Sequence, residues 1–123
     1  MALDHTFIGL IALNDPLRAS AKASIKYAKI GHINIRLVTN NSLEYAKAQA
    51  YECGIVENKS DLDQSGVAMT GKEFSDLYGP VSAEGNELKN QIAFNNAIED
   101  LKVLARATSD DKNLLAVGLK NQG

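Results

Sequence analysis

Residues 6–13, Thr6-Phe7-Ile8-Gly9-Leu10-Ile11-Ala12-Leu13, form a nearly unbroken apolar run that closes on Asn14-Asp15-Pro16. That is the pattern of a strand covered on both faces and ended by a turn, and it predicts a buried strand. Asp15 is placed to cap a helix whose first residue is Pro16, and Leu17, Ala21, Ile25 and Ala28 then share one stripe at helical spacing. Arg18, Lys22, Lys26 and Lys29 line the adjacent stripe. Solvated lysines beside a core stripe are the ordinary outcome, so no function is read from them. Gly31 stops the helix, and residues 33–38 alternate apolar and polar side chains before the polar break Thr39-Asn40-Asn41-Ser42. A second strand is expected to end at Thr39.

Leu43, Ala46, Ala50 and Cys53 recur at helical spacing and Gly54 follows, which predicts a helix over residues 43–53. Two strand–loop–helix units in succession point to parallel strands joined by helical crossovers, an α/β fold with a mostly parallel sheet and flanking helices. Residues 57–65 are polar and acidic without periodicity and read as a surface loop before a short strand at Val67-Ala68-Met69. Thr70 and Glu73 have the spacing of a capping box that starts a short helix carrying Phe74 and Leu77, ended by Gly79-Pro80. Residues 87–100 are a helical candidate diluted by Asn90, Asn95 and Asn96, residues 101–105 a third principal strand, and Ser109 the expected cap of a last helix through Leu114, Leu115 and Leu119.

Length and composition narrow the class. A chain of 123 residues is about one domain long and buries roughly two thirds of its unfolded surface. Hydrophobic residues make up 45% and charged residues 23%, ordinary globular usage that argues against disorder. Thirteen basic and fifteen acidic side chains leave a net charge of −2, which gives no general attraction to nucleic acid or an anionic membrane. Cys53 is the single cysteine, so an internal disulfide or a thiolate zinc cluster is excluded and a reducing compartment fits. The apolar run from Phe7 is far shorter than the ~20 residues of a membrane helix, and the first residues lack the basic region of a signal peptide. The chain is therefore expected to be soluble in isolation.

In an open parallel sheet, ligands bind outside the carboxyl ends of the strands, beside helix N-termini that favour anions. Three segments are expected there: residues 14–18, residues 39–42 and residues 106–112. Thr39 offers a hydroxyl, and the amides after it are candidates for a phosphate cradle. Lys112 is placed in the first turn of a helix, where a cation opposes the macrodipole by roughly 0.3–1 kcal/mol. Either Asp110 and Asp111 compensate or a bound anion does. His5, His32 and Cys53 fit no ligand spacing and read as structural, and the sequence spacing assembles neither a metal cluster nor a nucleophile–base pair.

These same three segments resemble the phosphorylation domain of P-type cation-transporting ATPases, whose catalytic core has a Rossmann-like fold of the haloacid dehalogenase class. Residues 6–10 through Asp15-Pro16-Leu17-Arg18 resemble the family's strand running into Asp-Pro-Pro-Arg, with Leu17 in place of the second proline. Arg36-Leu37-Val38-Thr39-Asn40-Asn41-Ser42, followed by Tyr51-Glu52-Cys53-Gly54-Ile55, resembles its Thr-Gly-Asp-Asn loop and the helix behind it. Leu101-Lys102-Val103-Leu104-Ala105-Arg106 through Asp111-Lys112 is the nearest segment, most like plasma-membrane calcium pumps. The resemblance implies that Asp15 and Arg18 belong to a hinge toward the nucleotide domain and that Thr39, Asn40 and Asn41 contact phosphate. It further implies that Arg106 lies on the nucleotide side and that Lys112, the catalytic cation, neutralises an aspartyl phosphate.

The family's Asp-Lys-Thr-Gly-Thr, which carries the phosphorylated aspartate, is missing from residues 1–123, and so is the Gly-Asp-Gly-Thr-Asn-Asp that helps hold magnesium. Asn40 stands in place of a glycine and Asn41 in place of a carboxylate. The expectation is an incomplete domain spanning residues 1–123, with no metal ligands, no activity and no tight ligand binding by itself. In a full-length parent, ATP and Mg2+ would be the cofactors. The nucleotide, actuator and transmembrane domains would be the partners, nucleic acid would not be one, and this segment would lie on the cytoplasmic face without touching the membrane. The alternative is a noncatalytic binding or assembly module that kept the fold; a single-domain phosphatase ranks last because no acidic nucleophile follows the first strand.

Overall fold

A computed structural model describes residues 6–13, 15–82 and 87–122. The elements run α1 (Ala19–Ile30), β1 (Leu37–Val38), α2 (Leu43–Cys53), a 3-10 turn (Lys59–Asp63), β2 (Ala68–Thr70), α3 (Gly71–Tyr78), α4 (Gln91–Ala97), β3 (Val103–Ala105) and α5 (Ser109–Asn121). The sheet has the order β1-β3-β2 and is parallel throughout, pairing Leu37 and Ala68 with Val103, and Val38 and Met69 with Leu104. The α/β expectation holds in this form: a small parallel sheet with helices on both faces.

Strand alternation assigns the two faces. Val103 and Ala105 pack with Leu37 and Ala68 in a cluster that includes Ala46, Ala50 and Cys53 of α2, together with Leu62. Leu104 points the other way with Val38 and Met69, into a cluster built on Phe74, Tyr78, Phe94, Leu114 and Leu115 from α3, α4 and α5. Three aromatic rings meet edge to face at its centre, with centroids 5.1 Å apart for Phe74–Tyr78, 6.0 Å for Phe74–Phe94 and 5.7 Å for Tyr78–Phe94. Burial among these rings raises the Tyr78 phenol above its ordinary pKa. All three residues of β3 are buried, as the central strand of a doubly covered parallel sheet requires.

Local signals account for most of the boundaries. Ser42 accepts from the amide of Tyr45 and Gly54 takes φ 87°, so α2 has the predicted ends. The capping box of Thr70 and Glu73 is present, but α3 buries Phe74 and Tyr78 and leaves Leu77 exposed. The segment read as a surface loop contains the 3-10 turn, which buries Leu62 against α2.

Three expectations need correction. Residues 6–13 form no strand, and Phe7, Ile8, Leu10, Ile11 and Leu13 are exposed; among the described residues this apolar run has no strand to pair with. Asp15 does not cap a helix, because Arg18 is the residue with the extended backbone (φ −62°, ψ 138°) and α1 starts one residue later. The N-cap of α5 is Thr108, whose side chain accepts from the amide of Asp111, and Ser109 is already helical. His5, Asn14 and Gly123 lie outside the described residues.

Candidate functional site

The strands β1 and β3 deliver two loops to one edge of the sheet. The amide of Thr39 donates to the carbonyl of Leu104 (2.9 Å), the last ladder bond before the strands diverge. Beyond it, the amide of Ala107 donates to the carbonyl of Thr39 and that of Arg106 to the carbonyl of Asn41, both at 2.9 Å. Thr39, Asn41 and Arg106 are thereby fixed side by side. Arg106 has φ 49°, a left-handed backbone uncommon for a side chain with a Cβ, and it turns the chain out of β3 toward α5.

The loop amides are largely spent within the protein. The amide of Asn41 donates to the Thr39 hydroxyl oxygen (3.2 Å), and that of Thr108 to Oδ2 of Asp111 (2.8 Å). The amide of Asp111 in turn donates to Thr108 Oγ1 (3.3 Å), and that of Lys112 to the Thr108 carbonyl (3.2 Å). The side chains at this edge are the half-buried Thr39 hydroxyl and the exposed Asn40, Asn41, Arg106 and Lys112.

Asp111 resolves the electrostatic question raised by Lys112. It is buried, and its carboxylate takes both the amide and the hydroxyl of Thr108 at 2.8 Å, closing the N-terminus of α5 with a negative charge. Of the two neighbouring carboxylates, Asp111 is the one that closes the helix, while Asp110 is exposed. Its signature, Thr108 followed three residues later by Asp111, is legible in the sequence as a capping box. Sequence reading gives no hint of Gly71, where a Cβ would overlap the Asp111 carboxylate and stand 3.1 Å from Ala107 Cα. The N-termini of α3 and α5 therefore meet through a glycine and a buried carboxylate.

Asp15 and Arg18 are not joined to this edge. Both are exposed on the stretch leading into α1, and neither side chain makes a hydrogen bond or ion pair with a described residue. A cleft of about 500 Å³ lies between α1 and α2, and one of about 610 Å³ lies between the 3-10 turn, α3 and α4; neither is lined by Thr39, Arg106 or Lys112. Among the described residues no group of three or more His, Cys, Asp or Glu side chains is arranged to hold a metal ion, and no helix is long and apolar enough to cross a membrane.

Comparison with known proteins finds calcium pumps. Calcium-transporting ATPase 2 of Schizosaccharomyces pombe is 32% identical over 120 residues, 98% of this chain and 8% of that protein. The plasma membrane-type calcium-transporting ATPase 2 of Arabidopsis thaliana is 32% identical over 119 residues, and the plasma membrane-type ATPase 8 of the same plant is 28% identical over 120. The chain spans about a tenth of the length of these relatives. No family model and no solved structure matches it.

Proposed function

We propose that this chain is a central segment of the phosphorylation domain of a P-type cation pump, most like the plasma-membrane calcium pumps, with a haloacid dehalogenase-like core. The similarity to calcium-transporting ATPases along 98% of the chain carries the reading. Phosphoryl transfer is catalysed by placing cations and donors around the transferring group, and the paired loops that hold Thr39 beside Arg106 suit that task. In a full-length parent, Lys112 would neutralise the aspartyl phosphate, Thr39 to Asn41 and Arg106 would position phosphate and nucleotide, and Asp15 with Arg18 would form the hinge. ATP and Mg2+ would be held together with the nucleotide, actuator and transmembrane domains, on the cytoplasmic face of a membrane. The chain alone has no nucleophile of the family's kind and is inactive in this reading.

A second reading, a noncatalytic binding or assembly module, is favoured by Asn40 and Asn41 and by the internal use of the loop amides. Reading the parent transcript across both ends separates the two. Asp-Lys-Thr-Gly-Thr upstream, Gly-Asp-Gly-x-Asn-Asp downstream and flanking apolar runs of ~20 residues support the pump. A stop codon directly after Gly123 supports the module.

A further inference from the structure

We propose that the cleft between α1 and α2 is a docking groove for an extended acidic segment of a partner polypeptide. This rests on features remote from the strand edge and is independent of the pump reading. Four cations fall between residues 18 and 29 with no carboxylate among them, in a chain whose net charge is −2. None of the residues of α1 is fully buried; the helix is held through Leu17 and Ile25, which pack on the α2 cluster. Lys22, Lys26 and Lys29 form one wall of the cleft, and Tyr51, Cys53 and Val56 stand opposite.

The positive wall is only partly countered, by Glu52 and Glu57. Lys29 reaches Glu57 at 3.9 Å, and among the described residues Lys22 and Lys26 form no ion pair. Like charges three and four residues apart repel on a helix surface, so an anionic occupant relieves the stripe. Lys59 extends the positive rim by sitting 5.1 Å from the centroid of the Tyr51 ring.

Spacing selects the occupant. Lys22 and Lys26 are about 6 Å apart along the helix axis, and alternate side chains of an extended chain repeat at about 6.6 Å. Carboxylates at alternate positions of an extended peptide therefore match successive lysines, and Ile25, which also lines the cleft, offers an apolar contact between them. Glu52 and Glu57 also line the cleft. A peptide backbone donates N–H groups to those carboxylates, whereas the phosphodiester backbone of a nucleic acid has no N–H donor to offer them; a lipid surface is distinguished by the competition arm of the test.

The test uses the 123-residue chain and a short fluorescent peptide of alternating glutamate and valine, followed by anisotropy at low salt. The Lys22→Glu/Lys26→Glu variant is expected to bind about tenfold more weakly or worse. The Lys89→Glu/Lys120→Glu variant, altered at exposed lysines elsewhere, binds as the parent does. Amide shifts on peptide addition should cluster at Ile25, Tyr51 and Gly54, and binding should fade at about 0.5 M salt. Circular dichroism checks folding, and Lys22→Gln/Lys26→Gln, expected to weaken binding in the same direction, replaces the glutamate pair if that variant unfolds. The proposal is overturned if the peptide does not bind or if both double variants lose affinity equally. It is also overturned if single-stranded DNA or phosphatidylserine vesicles compete more strongly than the peptide itself.

Discussion

Gly71 and Asp111 lie far apart in sequence, yet a single carboxylate should make their substitutions non-additive. Asp111→Ala removes two charge-assisted hydrogen bonds of 2.8 Å to Thr108. Thr108 is exposed, so water replaces the lost partner and the penalty stays on the scale of a helix cap, about 1–2 kcal/mol. Loss of the anion from the N-terminus of α5 adds about 0.3–1 kcal/mol, and relief of burying a charge returns part of it, leaving a net cost of about 2 kcal/mol. Gly71→Ala places a methyl group on the Asp111 carboxylate, which must swing away and forfeit the same two bonds, while Ala107 Cα at 3.1 Å limits any retreat. Less than about 1 kcal/mol of helix propensity returns, so the single change costs about 1–2 kcal/mol. Once Asp111 is alanine, the methyl at residue 71 occupies space the carboxylate has left. The double variant should then be about as stable as Asp111→Ala alone, a coupling of about 1 kcal/mol or more. Urea unfolding of the four proteins at constant m-value measures it, and additivity within about 0.5 kcal/mol would refute the shared-carboxylate account.

Gly118→Ala directs a methyl group to 2.5 Å from Cζ of Phe94, inside the aromatic cluster, and is expected to destabilise the fold by about 1–2 kcal/mol despite better helix propensity; a neutral urea midpoint shift would contradict that packing. Glu73 is held below the ordinary glutamate pKa of 4.5, first by the backbone amide of Thr70 and then by its hydroxyl. Its contribution is therefore present above 4.5 and lost as the pH falls through the lowered value; with an exposed carboxylate it amounts to less than about 1 kcal/mol. Glu73→Gln should narrow the stability gap to the parent as the pH drops, and a gap that widens toward acid would reverse the assignment. Lys112→Ala should change stability by no more than about 1 kcal/mol and abolish millimolar phosphate binding seen as NMR shifts at Thr39. Shifts that stay flat into tens of millimolar, or persist in the variant, would remove Lys112 from the site.

The parts legible in the sequence are those fixed by neighbours along the chain. The ends of α2 follow from Ser42 and Gly54, and its buried face from Ala46, Ala50 and Cys53, all within one helix length. Residues 6–13 fail for the opposite reason: a strand exists only with a hydrogen-bonded partner, and the apolar pattern is the same whether or not one is present. Leu62 is not legible because one apolar side chain in an acidic stretch has no period, and its burial depends on α2 across the fold. At the site, Thr108 and Ser109 are equivalent as cap types, and the acid three residues beyond Thr108 decides between them. The meeting of Gly71 with Asp111 belongs to tertiary structure alone.

The hydrogen-bonding at the strand edge constrains any phosphate chemistry more tightly than the identity of its side chains does. A cradle for phosphate works by aiming unsatisfied backbone N–H groups at one point. Here the amides of Asn41, Arg106, Ala107, Thr108, Asp111 and Lys112 already have acceptors within the protein, and the N-terminus of α5 is closed by Asp111. For charge, an anion entering this edge has Arg106 and Lys112, with the Thr39 hydroxyl and the Asn40 and Asn41 side chains beside them. The two cations are exposed, in surroundings where each ion contact contributes at most about 1 kcal/mol against the cost of immobilising the ligand. Such contacts cannot bring affinity below the millimolar range, even with the Thr39 hydroxyl added. Stronger binding requires that these cations be covered, because the same charges in a drier environment act through a lower dielectric. If the chain is a pump segment as proposed, its phosphate affinity in isolation measures how far Arg106 and Lys112 would depend on the parent's other groups to become effective.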